Sequence, residues 1–397
     1  MKLSVIKKLD TESLLSRTVR ELPPSGIREF FDIVYSTPDC ISLGVGEPDF
    51  ITPWRISDAA IYSIKDGCTH YTPNRGLLEL REIIAKQISN AHGVVYDPET
   101  EVIITMGVSQ GLDLALRSII NAGDEVIIIE PCYVSYAANV KLLNGVPVVV
   151  ATHFDNKFEI EIETLIKSIT TKTKAILLNY PSNPTGRTIN RETLSAIARL
   201  AIERNFIVIS DEIYSALVYE GEHTSIASLP GMKERTIYLN GFSKSLAMTG
   251  WRLGYAAAPR NISDLMLKIH QYTALCAPSI AQYAVLDVLE NSQGDIDRMK
   301  SEYLNRRNYI VNRFIEMGYP CQMPQGAFYV FPDISSSGLH SKDFALKLLK
   351  SERVAVVPGS AFGSTSENHI RCSFATSIEN IKEAMRRIEH FSKKARK

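Results

Sequence analysis

The stretch GFSKSLAMTGWRLG, residues Gly241–Gly254, carries the strongest signal in the chain. Its lysine, Lys244, lies among small and apolar residues, which would hold the amine partly out of water and favour its neutral, nucleophilic form. Arg252 follows in the same stretch and offers a rigid, permanently charged group that suits phosphate. The alternative is a surface lysine with a solvated arginine, which is the commoner situation for any single lysine in a loop.

Short β-branched runs around this stretch alternate with segments of helical periodicity. The predicted strands are Val102–Thr105, Glu125–Ile129, Val146–Val150, Lys174–Leu178, Phe206–Ser210, Thr236–Leu239 and Leu253–Ala258. This alternation predicts an α/β fold with a mostly parallel seven-stranded sheet and helices on both faces. Because the Gly241–Arg252 connection has little room for a crossover helix, we expect an antiparallel edge at Leu253–Ala258.

Polar and aromatic clusters follow five of these strands. They are Gly107–Gln110, Cys132–Tyr133, Ser182–Gly186, Asp211–Tyr214 and Ser243–Lys244. Ligands of open α/β sheets bind beyond the carboxyl ends of the strands, so we expect the clusters to converge on one crevice. The first cluster opens a helix whose backbone amides would face an anion such as phosphate. The alternative for that cluster is a plain helix cap formed by Ser109.

The pattern changes beyond about Pro259. The predicted helices there are Asp264–Leu275, Ile280–Glu290, Asp297–Met317 and Ile378–Phe391, and the predicted strands are Ala327–Phe331, Val354–Val357 and Ile370–Ser373. We expect a smaller α+β domain at residues 291–397 and a large ligand-binding domain at residues 51–290. Residues 1–50 would form an N-terminal segment that packs with the small domain.

Composition excludes several classes of protein. The chain has 44 basic and 44 acidic residues, so no charge surplus points to nucleic acid or to an anionic membrane. Its six cysteines form no C-x-x-C pair, which argues against a zinc ribbon and a disulfide scaffold and fits a reducing compartment. The N-terminus lacks a signal-peptide core, and the apolar runs are too short to span a bilayer. We therefore expect a cytoplasmic protein with no metal site and no nucleic-acid or membrane partner.

Five further blocks of sequence accompany Gly241–Gly254. They are ISLGVGEPDF, HYTPNRGLLELRE, NYPSNPTG, SDEIY and HIRCSFA. In this order, and over nearly the whole chain, the blocks resemble those of the class I and II pyridoxal-phosphate (PLP)-dependent aminotransferases of the aspartate and aromatic kind. GFSKSLAMTGWRLG resembles the lysine-attachment signature of the family throughout. The resemblance implies PLP as cofactor, bound by the large domain, and the PLP-dependent transferase fold of type I.

The resemblance also implies roles for single residues around the cofactor ring. Lys244 would bind PLP covalently and, once freed by the substrate, move the Cα proton as a general base and acid. Asp211 would face the pyridine nitrogen and keep it protonated. Tyr214 and Asn183 would hydrogen-bond the phenolic oxygen, and Tyr133 would stack on the ring. Taken singly, Asn183 could be a turn residue, Tyr133 a core residue and Asp211 a helix cap.

For the phosphate, the resemblance implies Arg252, Ser109 and the amide of Val108. Tyr71, in HYTPNRG, resembles the residue that reaches the phosphate from the partner subunit, which implies a homodimer with a shared active site.

One position departs from the pattern of many aspartate-type relatives. They carry a serine where this chain has Gly241, so one hydroxyl that binds phosphate is missing. Ser243 is the candidate that would replace it.

For the substrate, the resemblance implies that Arg371, in HIRCSFA, grips the α-carboxylate with two parallel hydrogen bonds. The backbone amide of Gly46 and the side chain of Asn183 would add contacts to the same group. The alternative for Arg371 is a structural ion pair.

The implied reaction is a two-stage transamination. An L-amino acid passes its amine to PLP, and a 2-oxo acid such as 2-oxoglutarate then takes it, which predicts ping-pong kinetics. The segment Lys268–Thr273, where an arginine for a distal carboxylate would be sought, contains none. We therefore expect a broad or aromatic-accepting enzyme, with narrow aspartate specificity as the alternative.

Two other functions remain open. A PLP-dependent C–S β-lyase would use the same lysine, and it would release pyruvate and ammonia from cystathionine without a 2-oxo acid. A non-enzymatic PLP-sensing regulator would need a DNA-binding module. The roughly 40 residues before ISLGVGEPDF are too few for one and carry no recognition-helix pattern.

Overall fold

A computed structural model describes residues 11–24, 37–286 and 288–395 of the chain. Of the predicted N-terminal segment, residues 1–10 and 25–36 lie outside the described residues.

Twelve strands form three sheets in the described part of the chain. They are β1 (Ile41–Ser42), β2 (Val102–Thr105), β3 (Glu125–Glu130), β4 (Val146–Ala151), β5 (Thr173–Asn179), β6 (Ile207–Asp211), β7 (Thr236–Gly241), β8 (Gly254–Ala257), β9 (Tyr329–Val330), β10 (Val354–Ala355), β11 (Val357–Pro358) and β12 (Ile370–Ser373).

The α-helices of the same residues connect and cover these strands. They are α1 (Arg17–Arg20), α2 (Trp54–Lys65), α3 (Leu78–His92), α4 (Gly107–Ile119), α5 (Ser135–Leu142), α6 (Ile162–Ser168), α7 (Arg191–Glu203), α8 (Phe242–Ser245), α9 (Arg260–Thr273), α10 (Ser279–Leu286), α11 (Gln293–Glu316), α12 (Ser341–Glu352) and α13 (Ile378–Ala395).

The largest sheet has seven strands in the order β2-β8-β7-β6-β5-β3-β4. Strands β3 to β7 run parallel to their neighbours among themselves, while β8 is antiparallel to both β2 and β7. The prediction of a mostly parallel seven-stranded sheet is confirmed, and so is the antiparallel pairing. The predicted edge position of Leu253–Ala258 is wrong, because β2 covers the other side of β8. The short Gly241–Arg252 connection fixes the direction of β8 but not its second neighbour.

Helices pack on both faces of this sheet, as expected. Val102 and Ile104 of β2 lie in an apolar cluster with residues of α2, α3 and α10, whereas Ile103 lies in another cluster with residues of α4 and α9. Successive side chains of a strand point to opposite faces, so the sheet is the middle layer of three.

The remaining strands form two small sheets. β1 pairs in parallel with β10, and β11, β12 and β9 form an antiparallel sheet. The prediction of one strand over Val354–Val357 is wrong, because its two halves pair with different partners, β1 and β12. Leu43 lies with side chains of α11, α12 and α13 in one buried cluster.

No helix in residues 11–24, 37–286 or 288–395 has the length and apolar character needed to cross a membrane.

Candidate active site

A cavity of about 660 Å³ opens at the carboxyl ends of the parallel strands. The predicted site residues on its wall are Gly46, Val108, Ser109, Tyr133, Asn183, Asp211, Tyr214, Ser243, Lys244, Arg252 and Arg371. Each of the five strand-end clusters contributes at least one of them. Tyr71 does not line the cavity, and its side chain is 80% exposed.

Lys244 lies in the short helix α8, directly after β7, and its side chain enters the cavity. Its Nζ donates a hydrogen bond of 2.6 Å to the carbonyl oxygen of Gly46. Desolvation lowers the pKa of the amine from 10.5 to about 8, although the nearby Glu47 opposes the shift. A substantial fraction of the amine is therefore neutral near physiological pH, as a nucleophile or general base requires.

Asp211 is the last residue of β6 and lies at the buried floor of the cavity. The hydroxyl of Tyr136 donates to its Oδ2 at 2.7 Å, and the amide of Ile213 donates to Oδ1 at 3.2 Å. Burial nevertheless raises the pKa of the carboxyl to about 6. A cation placed against this carboxylate would compensate for its lost hydration, and a protonated ring nitrogen is such a cation.

The phosphate candidates surround the N-terminus of α4. This helix begins at Gly107, and the N-cap residue, Met106, makes no side-chain cap hydrogen bond. Ser109 lies inside the first turn, so the alternative of a plain cap by Ser109 is wrong. Gly107 has φ of +72°, and a Cβ at this position would lie 3.0 Å from Nη2 of Arg252. The glycine thus leaves room for the guanidinium beside the free amides of the helix, which together suit an anion.

Gly241 is required by the close approach of two backbones. It pairs with Gly254 in the sheet, and a Cβ on Gly241 would lie 2.8 Å from the Cα of Gly254. A Cβ on Gly254 would in turn lie 2.8 Å from the amide nitrogen of Val108. The serine of the aspartate-type pattern therefore does not fit here without a shift of the backbone at the start of α4, where the phosphate would bind.

Arg371, on β12, is buried between two aromatic rings. Its Cζ lies 4.5 Å from the ring centroid of Tyr329 and 4.9 Å from that of Phe362. Its Nη1 donates to Oδ1 of Asn183 at 3.0 Å, and its Nη2 donates to the carbonyl oxygen of Gly44 at 2.5 Å.

The guanidinium of Arg371 has a hydrogen-bond donor without an acceptor. Its Nε is buried without a hydrogen-bond partner, and among the described residues no carboxylate lies within 4.0 Å of it. The alternative of a structural ion pair therefore has no partner in the described part of the chain. A buried arginine left without an anion favours the binding of a substrate carboxylate.

The wall also contains residues that were not assigned to the site from the sequence, and Tyr136, Asn179 and Tyr329 are three of them. Asn179 ends β5, and its side chain donates to the carbonyl oxygen of Asp211 at 3.0 Å. The position of Asn179 at a strand end was a usable signal. Tyr136 lies one helical turn after the predicted Tyr133, and Tyr329 lies in an apolar run that is typical of core.

These groups fit PLP on four counts. The amine of Lys244 matches the aldehyde, and the carboxylate of Asp211 matches the ring nitrogen. The start of α4 with Arg252 matches the phosphate, and the cavity is large enough for a small aromatic ligand.

Comparison with known proteins gives a consistent result. The family model described as "Aminotransferase class I and II" matches residues 38–388. The chain is 52% identical over 379 residues to YugH of Bacillus subtilis, provisionally named an aminotransferase with no stated substrate, and the match covers 96% of this chain and 98% of YugH. It is 46% identical to an aspartate aminotransferase of Pyrococcus abyssi, covering 92% of this chain and 95% of the relative. A solved aromatic aminotransferase of Pyrococcus horikoshii superimposes with a TM-score of 0.88 at 45% identity, covering 92% of this chain and 99% of that one.

Proposed function

The chain belongs to the class I and II aminotransferases, and from this premise we propose which of its residues perform the reaction and which substrates it accepts. The protein is a PLP-dependent enzyme that moves an amino group between an amino acid and a 2-oxo acid. One observation carries the assignment of roles: the amine of Lys244, the carboxylate of Asp211 and the guanidinium of Arg371 line the same cavity.

The reacting centre is served by three residues. When bound, PLP supplies an aldehyde and an electron-accepting ring that makes the Cα–H of an amino acid acidic. Lys244, with its pKa lowered to about 8, would take the proton from Cα of the amino acid and deliver it to C4′, the carbon of the cofactor's aldehyde. Asp211 holds a proton at the ring nitrogen. Arg371 binds the α-carboxylate and thereby fixes which bond of Cα faces Lys244.

The other wall residues orient the cofactor. Tyr214 and Asn183 serve the phenolic oxygen, Tyr133 stacks on the ring, and the amide of Gly46 adds a contact to the substrate carboxylate. The phosphate takes the amide of Val108, the hydroxyl of Ser109 and the guanidinium of Arg252, with Ser243 next to Lys244 as a further hydroxyl.

The donor is an aromatic or broadly varied L-amino acid, and the acceptor is a 2-oxo acid such as 2-oxoglutarate. Among the described residues, the lysines and arginines that line the cavity are Lys244, Arg252 and Arg371, and these serve the reacting carbon, the phosphate and the α-carboxylate. No lysine or arginine of this part of the wall is therefore dedicated to a distal carboxylate, which argues against narrow specificity for aspartate. The aromatic activity named for the Pyrococcus horikoshii structure supports this choice, whereas the aspartate aminotransferase of Pyrococcus abyssi supports the narrower alternative.

The working unit is a homodimer in the cytoplasm. Large aromatic side chains besides Tyr71 are exposed in the large domain: the exposed fractions are 72% for Trp54, 68% for Tyr62 and 87% for Tyr272. Such a surface favours burial against another chain, and Tyr71 would then reach the partner's phosphate site. The pairing of β1 with β10 supports the packing of the N-terminal segment, 1–50, with the small domain, 291–397, and residues 51–290 form the large domain.

An absorbance experiment tests the roles and names the donor. Amino acids are added one at a time to the PLP-loaded protein. Each accepted donor should convert the absorbance of the bound cofactor to that of its amine form, and 2-oxoglutarate should restore it. Initial rates should give parallel double-reciprocal lines.

The matched variants are Lys244→Ala and, on the protein surface, Lys86→Ala. Lys244→Ala should lose nearly all turnover, and Lys86→Ala should keep it. Undiminished turnover in Lys244→Ala would refute the assigned role. Release of pyruvate and ammonia from cystathionine without any 2-oxo acid would instead indicate a β-lyase.

A further inference from the structure

Tyr329 lies between two halves of the candidate site, the cofactor half at Tyr214 and the substrate half at Arg371. It belongs to β9, is 1% exposed and lines the cavity. On one side its hydroxyl oxygen lies 2.7 Å from that of Tyr214. On the other side its ring supports the guanidinium of Arg371, whose Cζ lies 4.5 Å from the ring centroid. One side chain therefore touches both the tyrosine assigned to the cofactor and the arginine assigned to the substrate.

The hydroxyl of Tyr329 is also held from a third direction. A Cβ on Gly46 would lie 2.7 Å from this oxygen, so the backbone of Gly46 packs directly against it. The ring is further fixed by edge contact with Tyr214 at a centroid distance of 5.7 Å and by Phe328 at 4.9 Å. This packing leaves little freedom for the hydroxyl to turn away from Tyr214.

The direction of the hydrogen bond follows from proton counting. A tyrosine hydroxyl has one proton to donate, and the guanidinium of Arg371 offers only donors. If Tyr214 gives its proton to the phenolic oxygen of the cofactor, it can only accept from Tyr329. Tyr329 then donates to Tyr214 and makes it the stronger donor, because hydrogen bonds in a chain polarise one another.

We propose that Tyr329 is a positioning residue that joins the two halves of the site, its hydroxyl supporting Tyr214 and its ring supporting Arg371. The inference rests on the proposed function, since it takes the roles of Tyr214 and Arg371 from there. It adds a residue to the site that acts through both of them.

The two contributions of Tyr329 can be separated by substitution. Tyr329→Phe keeps the ring under Arg371 and removes the donor to Tyr214. A weaker donor stabilises the negative form of the phenolic oxygen less, so the pH midpoint of the absorbance change of bound PLP should rise. Tyr329→Leu also removes the aromatic face, which contributes to holding the cation in a buried site.

The first measurement is a pH titration of the absorbance of the PLP-loaded protein. Tyr329→Phe should raise the midpoint by about half a unit, in the same direction as Tyr214→Phe and by less. The double variant Tyr214→Phe/Tyr329→Phe should match Tyr214→Phe alone, because the second hydroxyl acts only through the first. Additive shifts, or no shift in Tyr329→Phe, would overturn the proposal.

The second measurement is the binding of 3-phenylpropionate, a carboxylate without an amine, to the PLP-free and the PLP-loaded protein. Tyr329→Phe should bind it within about twofold of the wild type, whereas Tyr329→Leu should bind it about tenfold more weakly in both forms. Equal affinities of Tyr329→Leu and the wild type would show that the ring of Tyr329 does not support Arg371.

Tyr319→Phe is the matched control. Tyr319 is another fully buried tyrosine, and its hydroxyl donates to Oγ of Ser392 at 2.9 Å, away from the cavity wall. This variant should change neither the midpoint nor the affinity. A wild-type protein that carries no PLP on Lys244 would refute the proposed function itself. A normal wild type with an unaltered Tyr329→Phe would refute only the role of Tyr329.

Discussion

The hydroxyl of Tyr136 donates a 2.7 Å hydrogen bond to the buried carboxylate of Asp211. Burial raises the pKa of Asp211 to about 6, and the hydrogen bonds from Tyr136 and from the amide of Ile213 oppose the rise. Asp211 is therefore ionised at neutral pH although its charge has lost much of its hydration. The carboxylate is prepared for a cation that the cofactor brings.

Removing this donor should cost stability in a pH-dependent way. The pKa of Asp211 is about 6 in the folded protein and has its ordinary value of 3.8 in the unfolded chain. Ionisation of Asp211 therefore lowers the free energy of unfolding as pH rises from the lower value through the higher one. Tyr136→Phe raises that pKa further. The PLP-free variant should lose about 1–2 kcal/mol relative to the wild type at pH 8, and less at pH 5. Urea unfolding at both values measures this, and equal losses would assign the effect to packing alone.

Removing the charge of Asp211 should have the opposite effect on the PLP-free protein. Asp211→Asn keeps an oxygen that accepts from Tyr136 but sets its NH2 against the amide of Ile213, so it should gain about 1 kcal/mol at pH 8 and less at pH 5. Its affinity for PLP should fall, because no carboxylate then faces the ring nitrogen. A PLP-free Asp211→Asn protein that unfolds more easily than the wild type at pH 8 would contradict the account.

The amine of Lys244 should react at unusually low pH. Its pKa is lowered to about 8 by desolvation, so a lysine-directed acylating reagent should modify it in the PLP-free protein with a midpoint near this value. Peptide mass spectrometry follows the modified fraction against pH, and PLP should protect the residue. A midpoint near the ordinary 10.5 would show that the cavity does not desolvate the amine.

Placing a serine at position 241 should weaken PLP binding. A Cβ there would lie 2.8 Å from the Cα of Gly254, whose backbone touches the amide of Val108. Gly241→Ser should lower the free energy of unfolding by about 1–3 kcal/mol, because the added side chain overpacks the site, and it should raise the dissociation constant for PLP. Gly250→Ser is the control, since nothing lies within 4 Å of a Cβ at that position. Tighter PLP binding by Gly241→Ser would mean that the hydroxyl matters more than the packing.

A buried, hydrogen-bonded carboxylate behind the site should support the segment that carries Asp211. Glu212 is 1% exposed and accepts from Ser210 at 2.8 Å, from Ser225 at 2.7 Å and from Nε2 of His223 at 2.5 Å. Burial would raise the pKa of Glu212, but His223, His92 and the hydrogen bond from Ser225 together outweigh burial and lower the pKa from 4.5.

His223→Leu should therefore leave the carboxylate of Glu212 without its partner. Because the pKa of Glu212 is lower in the folded than in the unfolded protein, its ionised form stabilises the fold above the ordinary pKa. This contribution is lost as pH falls through the folded pKa. The variant should lose about 1–3 kcal/mol of unfolding free energy at pH 8, because a buried carboxylate loses one of its donors, and less at pH 5, where the carboxyl can take up a proton. Adding Glu212→Gln should recover part of the loss in thermal unfolding. No recovery would mean that the imidazole matters through packing.

The sheet was largely predictable because its strands carry a local signal. Runs such as Val102–Thr105 are β-branched, buried on both faces and bounded by turns, so their positions can be read directly. The order of the strands is set by contacts between distant segments. That is why the second neighbour of Gly254–Ala257 and the division of Val354–Val357 at Val356 could not be predicted.

The site was predictable where polar residues stand out at strand ends, as with Asp211 and Asn183. Tyr329 was missed because the run Ala327–Phe331 is apolar and aromatic, which is typical of core residues. Tyr136 was missed because a buried tyrosine on a helix has no sequence signal of its own. Its partner becomes visible only when α5 is placed against the end of β6.

The pairing of β1 with β10 sets an order of assembly. Ile41 and Val354 come from opposite ends of the chain, so this contact forms only after most of the protein has been synthesised. Asp211 ends one strand of the large sheet and Lys244 closely follows another, and the strands of this sheet all precede residue 258 and leave the ribosome earlier. The nascent chain can therefore build the floor of its catalytic pocket before Arg371 exists to select a substrate, and specificity is completed last.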